Sequence, residues 1–310
     1  MHRLDSLVTQ KEADDLAGWS ELQGVDEIDV GRYFEYDADA IQRLGTWLDF
    51  IRNSAANVLE VGAGTGFFTR ILLKLNPRMT LTCLEPDDTF VKVLEQRFGR
   101  RTRVVQGTIE ESSIQSESFH AVVSHIVLHN LPDALRALCV MKEAVRKGGH
   151  VVAIEPAPGF MNHYPSDDIA RSFRLLGEVK TLRWRKRKEV HRLPEDWQPY
   201  SRCYPQIFEK AGLRRIRCYG LSCVFTLSDE RYSFAERKKW IRMRRKLLED
   251  ERTRTTRELM ELGTSEQDID RAYSVVFDYV GQLERASEEE LSHIHEQEVT
   301  NRTVTIGQKH

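Results

Sequence analysis

The stretch Val58-Leu59-Glu60-Val61-Gly62-Ala63-Gly64-Thr65-Gly66-Phe67-Phe68 decides how this chain is read. An apolar, β-branched run enters a turn with glycine at every second position, and the turn opens into a helix expected to begin near Thr65. Glycines spaced this way let the backbone approach a ligand closely. A dinucleotide fingerprint would place its third glycine at position 67, so that a pyrophosphate can sit on the helix N-terminus, and position 67 is Phe. Glu60, just ahead of the turn, would repel a pyrophosphate and suits a ligand bearing an ammonium group.

Outward from this turn, short apolar runs alternate with helix-length segments: Asn57–Val61, Thr80–Leu84, Arg103–Val105, Ala121–Val123 and His150–Ile154. Continuous apolar runs are what strands buried on both faces require, and their alternation with helices predicts βαβ units. A doubly wound, mostly parallel sheet is therefore expected over residues 56–160, preceded by a helical segment at 1–55. Within it, Leu131, Leu135, Leu138, Met141 and Val145 fall at helical spacing, and the basic pair Arg146-Lys147 followed by Gly148-Gly149 predicts a helix end there. Residues 213–227 read as a strand or strand pair, and Val299–Ile306 alternates at period two, so 201–229 and 291–310 are expected to close the sheet.

Two segments fall outside this pattern. Residues 161–200 lack strand signals and contain the basic run Arg183-Trp184-Arg185-Lys186-Arg187-Lys188, whereas 230–290 are almost entirely helix-forming, with Thr264 and Gln267 spaced as a capping box between two long helices. Both are expected to be helical insertions covering one end of the sheet. The stretch Arg237–Lys246 reads as the charged outer face of a helix, with Trp240, Ile241 and Leu247 on its buried side.

Of the 310 residues, 40% are hydrophobic and 30% charged, which describes a globular chain able to bury a sizeable core. The formal net charge of −2 creates no overall field for nucleic acid or an anionic membrane. Apolar runs of only a few residues argue against a membrane span, and an N-terminus without an apolar signal core gives the expectation of a cytoplasmic protein. Five cysteines at scattered positions, with no C-x-x-C, read as small buried hydrophobes. His293 and His295 lie in an acidic, polar stretch and read as surface histidines, so no metal is implied.

The glycine turn resembles the first motif, hh(D/E)hGxGxG, of the class I S-adenosylmethionine-dependent methyltransferases. Leu84-Glu85-Pro86, at the end of the next strand, is similar to the place where that family sets a carboxylate on two ribose hydroxyls. Leu128-His129-Asn130-Leu131-Pro132-Asp133 looks like its L-H-H-L-x-D segment, and Lys147 to Pro156 looks like its (K)PGG-strand-EP segment. The resemblance covers residues 40–160 well and 200–227 and 298–308 more loosely. It implies a Rossmann-like α/β fold with a seven-stranded sheet, S-adenosylmethionine as cofactor, and a cofactor site of Glu60, Gly62, Ala63, Gly64, Gly66, Glu85, Pro86, Thr108, Ile109, Glu110 and His125. One departure stands out: Gly107-Thr108-Ile109-Glu110 aligns with a G-D-A segment whose aspartate accepts from the adenine amino group, so the Thr108 hydroxyl or Glu110 would have to substitute.

Methyl transfer from a sulfonium is an in-line displacement in which a positive charge disappears, so positioning supplies much of the rate. An alcohol or phenol must also shed a proton, which suits a histidine, whereas a carboxylate or free amine needs little help. His125 and His129 follow the fourth strand, at the sheet edge where open α/β sheets bind ligands, and are the acid/base candidates. Contact with the methionine part of the cofactor is the other reading of His125, and packing at a helix start that of His129. Glu155, His163 and Tyr164 are further candidates at the same edge. The chain lacks the D/N-P-P-Y/F motif of methyltransferases acting on nucleic-acid bases, and its fifth strand lacks the paired acids of the magnesium-dependent catechol type. The expectation is a methyltransferase acting on O or N, less readily C, of a small-molecule acceptor, with residues 161–200 and 230–290 forming the acceptor pocket and lid. The alternatives are a protein or RNA methyltransferase, for which the basic run would be the recognition surface, and a binding protein that keeps the fold without catalysis. Homodimerisation is left open.

Overall fold

The computed structural model describes residues 20, 24–52, 55–158, 162–190 and 202–310. Seven strands form one sheet: β1 (Asn57–Val61), β2 (Thr80–Glu85), β3 (Arg103–Gln106), β4 (Phe119–His125), β5 (Val145–Pro156), β6 (Arg214–Thr226) and β7 (Gln297–Gln308). Their spatial order is β3-β2-β1-β4-β5-β7-β6. Strands β1 to β5 run parallel, and β7 is antiparallel to both β5 and β6. The chain winds from β1 outward to β3 and then returns to lay β4 on the other side of β1. That reversal opens a crevice beyond the C-terminal ends of β1 and β4, where a ligand can enter without breaking a strand ladder.

Each of the five apolar runs forms a strand because both of its faces are covered. Val58, Leu81, Ala121, Val123, Val152 and Ile154 pack on one side with helices α2 (Ala38–Trp47), α3 (Asp49–Arg52), α4 (Phe67–Leu75) and α5 (Asp88–Phe98). Leu59, Val61, Val122, Val151 and Ala153 pack on the other with α6 (Ala134–Ala144) and α9 (Tyr204–Lys210). The described parts of the expected insertions are helical as well: α7 (Asp167–Gly177) and α8 (Val179–Val190) from the first, of which residues 191–200 lie outside the described part, and α10 (Phe234–Glu261), α11 (Glu266–Arg285) and α12 (Glu288–Ser292) from the second and just beyond it. They share a third core, built from Leu176, Trp240, Ile241, Leu259, Tyr273 and Val276 and anchored on Phe225 and Leu227 at the end of β6. A short helix, α1 (Val25–Gly31), lies between this third core and the sheet, and most of residues 1–23 fall outside the described part.

Several boundaries differ from the sequence reading. Helix α4 starts at Phe67 rather than Thr65, because Gly66 is its N-cap in the left-handed region, φ 85°, with the Phe98 ring 2.3 Å from where a Cβ would stand. The helix expected over Leu131–Lys147 is shorter: Asp133 caps α6 by accepting from the Arg136 amide at 2.8 Å, and Val145 already pairs with Phe119 at the start of β5. Gly149 is needed for close approach instead of helix termination, since the His120 carbonyl and the Val145 side chain each lie 2.6 Å from its missing Cβ. The cap of α11 is Ser265, which accepts from the Asp268 amide at 3.1 Å, while the Thr264 amide donates to the Leu259 carbonyl and closes α10. Residues 213–227 form one strand rather than a pair.

The charged runs also turn inward more than expected. Arg183 pairs with Glu27, Glu251 and Glu258, so its part of the basic run is a structural tie. In Arg237–Lys246, Arg237 is buried and donates to the Leu227 carbonyl at 2.9 Å, and Arg244 is buried against Glu296. All five cysteines are free thiols. Among the described residues no helix is long and apolar enough to cross a membrane.

Candidate functional site

The crevice between β1 and β4 holds a cavity of about 180 Å³. The glycine turn and the end of β2 form its floor, the loop after β4 one wall, the Gly107–Glu110 loop another, and Ile28 and Arg32 overhang it from the α1 side. Gly62 and Gly64 adopt φ values of 67° and 56°. A Cβ on Gly62 would stand 2.5 Å from Val127, whereas Gly64 has nothing within 4 Å and exposes bare backbone to open space. The turn is tied down by the Gly62 amide, which donates to the Leu84 carbonyl at 2.8 Å, and by the Gly64 amide, which donates to Glu85 Oε2 at 2.8 Å.

Glu85 is buried on the cavity wall. Its other oxygen accepts from the Asp87 amide at 3.1 Å. Burial pushes its carboxyl up to about 7, against the pull of these two amides. A carboxylate fixed on both oxygens by backbone keeps its remaining lone pairs aimed in fixed directions, which suits a pair of adjacent hydroxyls. Pro86, Thr108, Ile109 and Glu110 line the same cavity. The Thr108 hydroxyl, however, is engaged with Glu111, both Oε2 and the amide, at 3.2 and 3.3 Å, which leaves Glu110 as the carboxylate on that wall.

Glu60, Ala63 and Gly66, expected at the site, are not among the residues lining the cavity. Glu60 points from β1 under α4, where it accepts from the Thr69 hydroxyl at 2.6 Å, and burial pushes its carboxyl up to about 8. Its environment thus favours a neutral acid behind the glycine turn over an anion facing an ammonium group. Ala63 packs into the core on the α4 side, and Gly66 lies against Phe98.

The two histidines lie on the wall in different settings. His125 stacks on Phe68, with ring centroids 4.7 Å apart, and its Nε2 is 2.8 Å from the Tyr36 hydroxyl. Burial, with Arg32 and Arg302 nearby, holds His125 well below the usual histidine range, and burial raises Tyr36, so the phenol donates and the neutral imidazole accepts. His129 instead has its Nδ1 2.8 Å from Glu155 Oε2. Glu155 is fully buried and also accepts from the amides of Val127, Leu128 and His129, so one carboxylate shapes the turn Leu128–Asn130 and orients the ring that follows. A buried carboxylate thus fixes the orientation of the His129 ring through Nδ1. Ile126 between them adopts φ 59°, an outlier for a β-branched residue of the kind found at functional sites. His163 does not join the cavity: it is exposed and bridges to Gln297.

Sequence reading missed Arg32, Ile28 and Tyr36, which come from outside the repeating pattern. The Arg32 side chain has no hydrogen-bond or ion-pair partner among the described residues, and Arg32 lines the cavity. Nothing in local sequence marks Tyr36 as the partner of a histidine 89 positions away. A second cavity, of about 580 Å³, lies across α1 between the insertions, with Tyr164, Phe173, Trp240, Arg244, Tyr273 and Glu298 on its walls.

Comparison with known proteins gives the following. Residues 59–153 match the family described as a methyltransferase domain. A malonyl-[acyl-carrier protein] O-methyltransferase of Paenibacillus sp. (strain JDR-2) is 32% identical over 101 residues, 31% of this chain and 37% of that protein. The match therefore spans little more than a third of that relative's length. An uncharacterized methyltransferase of Bacillus cytotoxicus is 26% identical over 170 residues, covering 53% of this chain and 72% of that one. Among solved structures, a Haemonchus contortus phosphoethanolamine N-methyltransferase 2 superposes with a TM-score of 0.49 at 12% identity, over 95% of this chain and 60% of that one.

Proposed function

We propose that this chain, whose residues 59–153 are a methyltransferase domain of the class I S-adenosylmethionine-dependent kind, transfers a methyl group to an oxygen or nitrogen of a small-molecule acceptor. The observation that carries the reading is Glu85, a carboxylate locked by the Gly64 and Asp87 amides on the wall of a cavity whose floor is bare glycine backbone. S-adenosylmethionine is the cofactor. Its ribose diol suits Glu85, Gly64 leaves room for the chain to pass over the turn, and Arg32 offers a counter-charge for the amino-acid carboxylate.

Bound there, the cofactor supplies an electrophilic methyl on a sulfonium. The remaining work falls to the chain. The cavity walls orient the ligand and exclude water, and Arg32 and His125 close the end toward α1. For a hydroxylic acceptor, His129 takes the proton and Glu155 holds its ring in the tautomer that allows this. His125, neutral and hydrogen-bonded to Tyr36, acts as a packing and polar contact surface. The O-methyltransferase relative supports an oxygen acceptor. The inward pairing of Arg183 supports a small molecule over RNA, because it removes a cation from the proposed recognition surface.

Calorimetric titration tests the reading. S-adenosylmethionine and S-adenosylhomocysteine are expected to bind one per chain, and NAD not at all. Glu85→Ala is expected to weaken the homocysteine form about tenfold to a hundredfold, the range of a lost charge-assisted hydrogen-bond pair. Binding of NAD without S-adenosylmethionine would overturn the assignment.

A further inference from the structure

We infer that the larger cavity is the acceptor site and that Glu298 on its wall reads the acceptor's polar head, selecting a hydroxyl or ammonium donor on an apolar, ring-bearing body over an anion. The name acceptor rests on the methyltransferase reading; the ligand class rests on the cavity alone.

Position comes first. Glu27, Val30 and Gly31 of α1 line the larger cavity, while Ile28 and Arg32 line the smaller one. With 100° of turn per residue these are two faces of one short helix, so α1 is the partition between the cavities. At the C-terminal end of this partition the neighbouring residues Gly31 and Arg32 line different cavities, and a Cβ on Gly31 would meet nothing within 4 Å. A molecule seated in the larger cavity would reach the smaller one past Gly31.

The wall chemistry then sets the ligand class. Tyr164, Phe173 and Trp240 line it, with Leu176, Val179 and Leu247 beside them, an apolar wall suited to a ring-bearing body. The inner cations are already occupied. Arg244 is paired with Glu296 and lies 4.2 Å from the Phe173 centroid and 4.8 Å from that of Trp240, and Arg183 is held by three carboxylates. Glu298 differs: it accepts no hydrogen bond among the described residues. It leaves the end of β7 opposite Phe225, and burial holds its carboxyl above the usual range even with Arg244 near it. A half-buried carboxylate on the cavity wall without a hydrogen-bond donor favours a ligand that brings one and disfavours a second anion. Lys180 and Arg174 are exposed on the same wall, and Lys180 joins Arg244 in pulling the Glu298 carboxyl down, but burial outweighs both.

The test uses three probes of one shape: 2-naphthylmethylamine, 2-naphthylmethanol and 2-naphthoate, titrated calorimetrically into the full chain. The amine and the alcohol are expected to bind, the amine about tenfold or more tighter than the carboxylate, as a charge-assisted hydrogen bond implies. Glu298→Gln should remove most of the amine preference while S-adenosylhomocysteine affinity stays unchanged. Leu247→Trp, which fills the cavity, should abolish all three probes and again spare S-adenosylhomocysteine. Equal affinity for amine and carboxylate in the unaltered protein, or a preference that survives Glu298→Gln, would overturn the role of Glu298. Probe binding that persists in Leu247→Trp would overturn the cavity assignment. Failure of S-adenosylhomocysteine to bind the unaltered protein would instead remove the methyltransferase reading, leaving the probe results to stand as a binding site.

Discussion

At the scale of single residues, burial decides more than residue type. Glu60, ahead of the glycine turn, and Glu85, at the end of the next strand, are both read from sequence as cofactor carboxylates, yet one faces Thr69 beneath α4 and the other a cavity. Period-two alternation explains why: Val61, one step beyond Glu60, is on the cavity wall, so Glu60 must face the opposite side of the sheet. A raised carboxyl in the folded state binds its proton more tightly than the unfolded chain does. Its contribution is fully present below the ordinary value of 4.5 and is lost as pH rises through about 8. Glu60→Gln should therefore flatten the fall in melting temperature between pH 5.5 and 8.5, recovering roughly 2–4 kcal/mol at the alkaline end. Identical pH profiles for the two proteins would show that Glu60 ionises freely. The histidines separate on the same physics. Imidazole NMR resonances of His125 are expected to stay in their neutral positions from pH 8 to pH 5, because its protonated form is disfavoured by burial and two nearby arginines. A midpoint near 6.5 would remove the case for a neutral ring hydrogen-bonded to Tyr36.

At the scale of elements, α1 links the sheet to the insertions. A seven-residue helix is too short to hold itself in water, so its neighbours must hold it. Asp29 accepts from the Thr65 hydroxyl at 2.8 Å and pairs with Arg97 of α5 at 2.7 Å, which ties α1 to the cofactor side. Asp26 pairs with Lys246 of α10 and Glu27 with Arg183 of α8, which ties it to the other side. The sequence shows three acids in seven residues but not their partners, which lie between 36 and 220 positions away. Arg97→Ala should loosen the overhang of Ile28 and Arg32. Partly exposed pairs are worth up to about 1 kcal/mol, so the expected loss in S-adenosylhomocysteine affinity is roughly twofold to fivefold. Faster hydrogen exchange across 25–31 should accompany it, and unchanged exchange there would show that the Asp29 tie is dispensable.

At the scale of the molecule, what was legible in sequence is what is locally repetitive. The apolar runs of β1 to β5, the glycine turn and the alternating β7 carry their own periodicity, and the sheet follows from it. The length of α6 and the inward turn of Arg237 and Arg244 differ from the sequence reading because each is set by a partner outside its own helix, the Phe119 strand, the Leu227 carbonyl and the Glu296 carboxylate, whereas the Thr264 amide is taken by the local Leu259 carbonyl that closes α10. The larger cavity was foreseen only as a pair of insertions, since its walls come from α1, α7, α8, α10, α11 and β7 at once. The two cores of the sheet lie behind one cavity and the third core behind the other, so the cavities should respond separately. The sheet helices share their apolar contacts with β1 to β5, whereas α7, α10 and α11 share theirs with one another and with the end of β6. S-adenosylhomocysteine should therefore slow hydrogen exchange in the glycine turn, in Gly107–Glu110 and in the loop after β4, with little effect on α7 and α10. The naphthyl amine should protect α7, α10 and the start of β7 and leave the glycine turn unchanged. Among the described residues, α1 is the segment expected to respond to both, because it presents one face to each cavity. Protection of α7 and α10 by S-adenosylhomocysteine alone would mean that the insertions close on the cofactor, and that α1 is a coupling element rather than a partition.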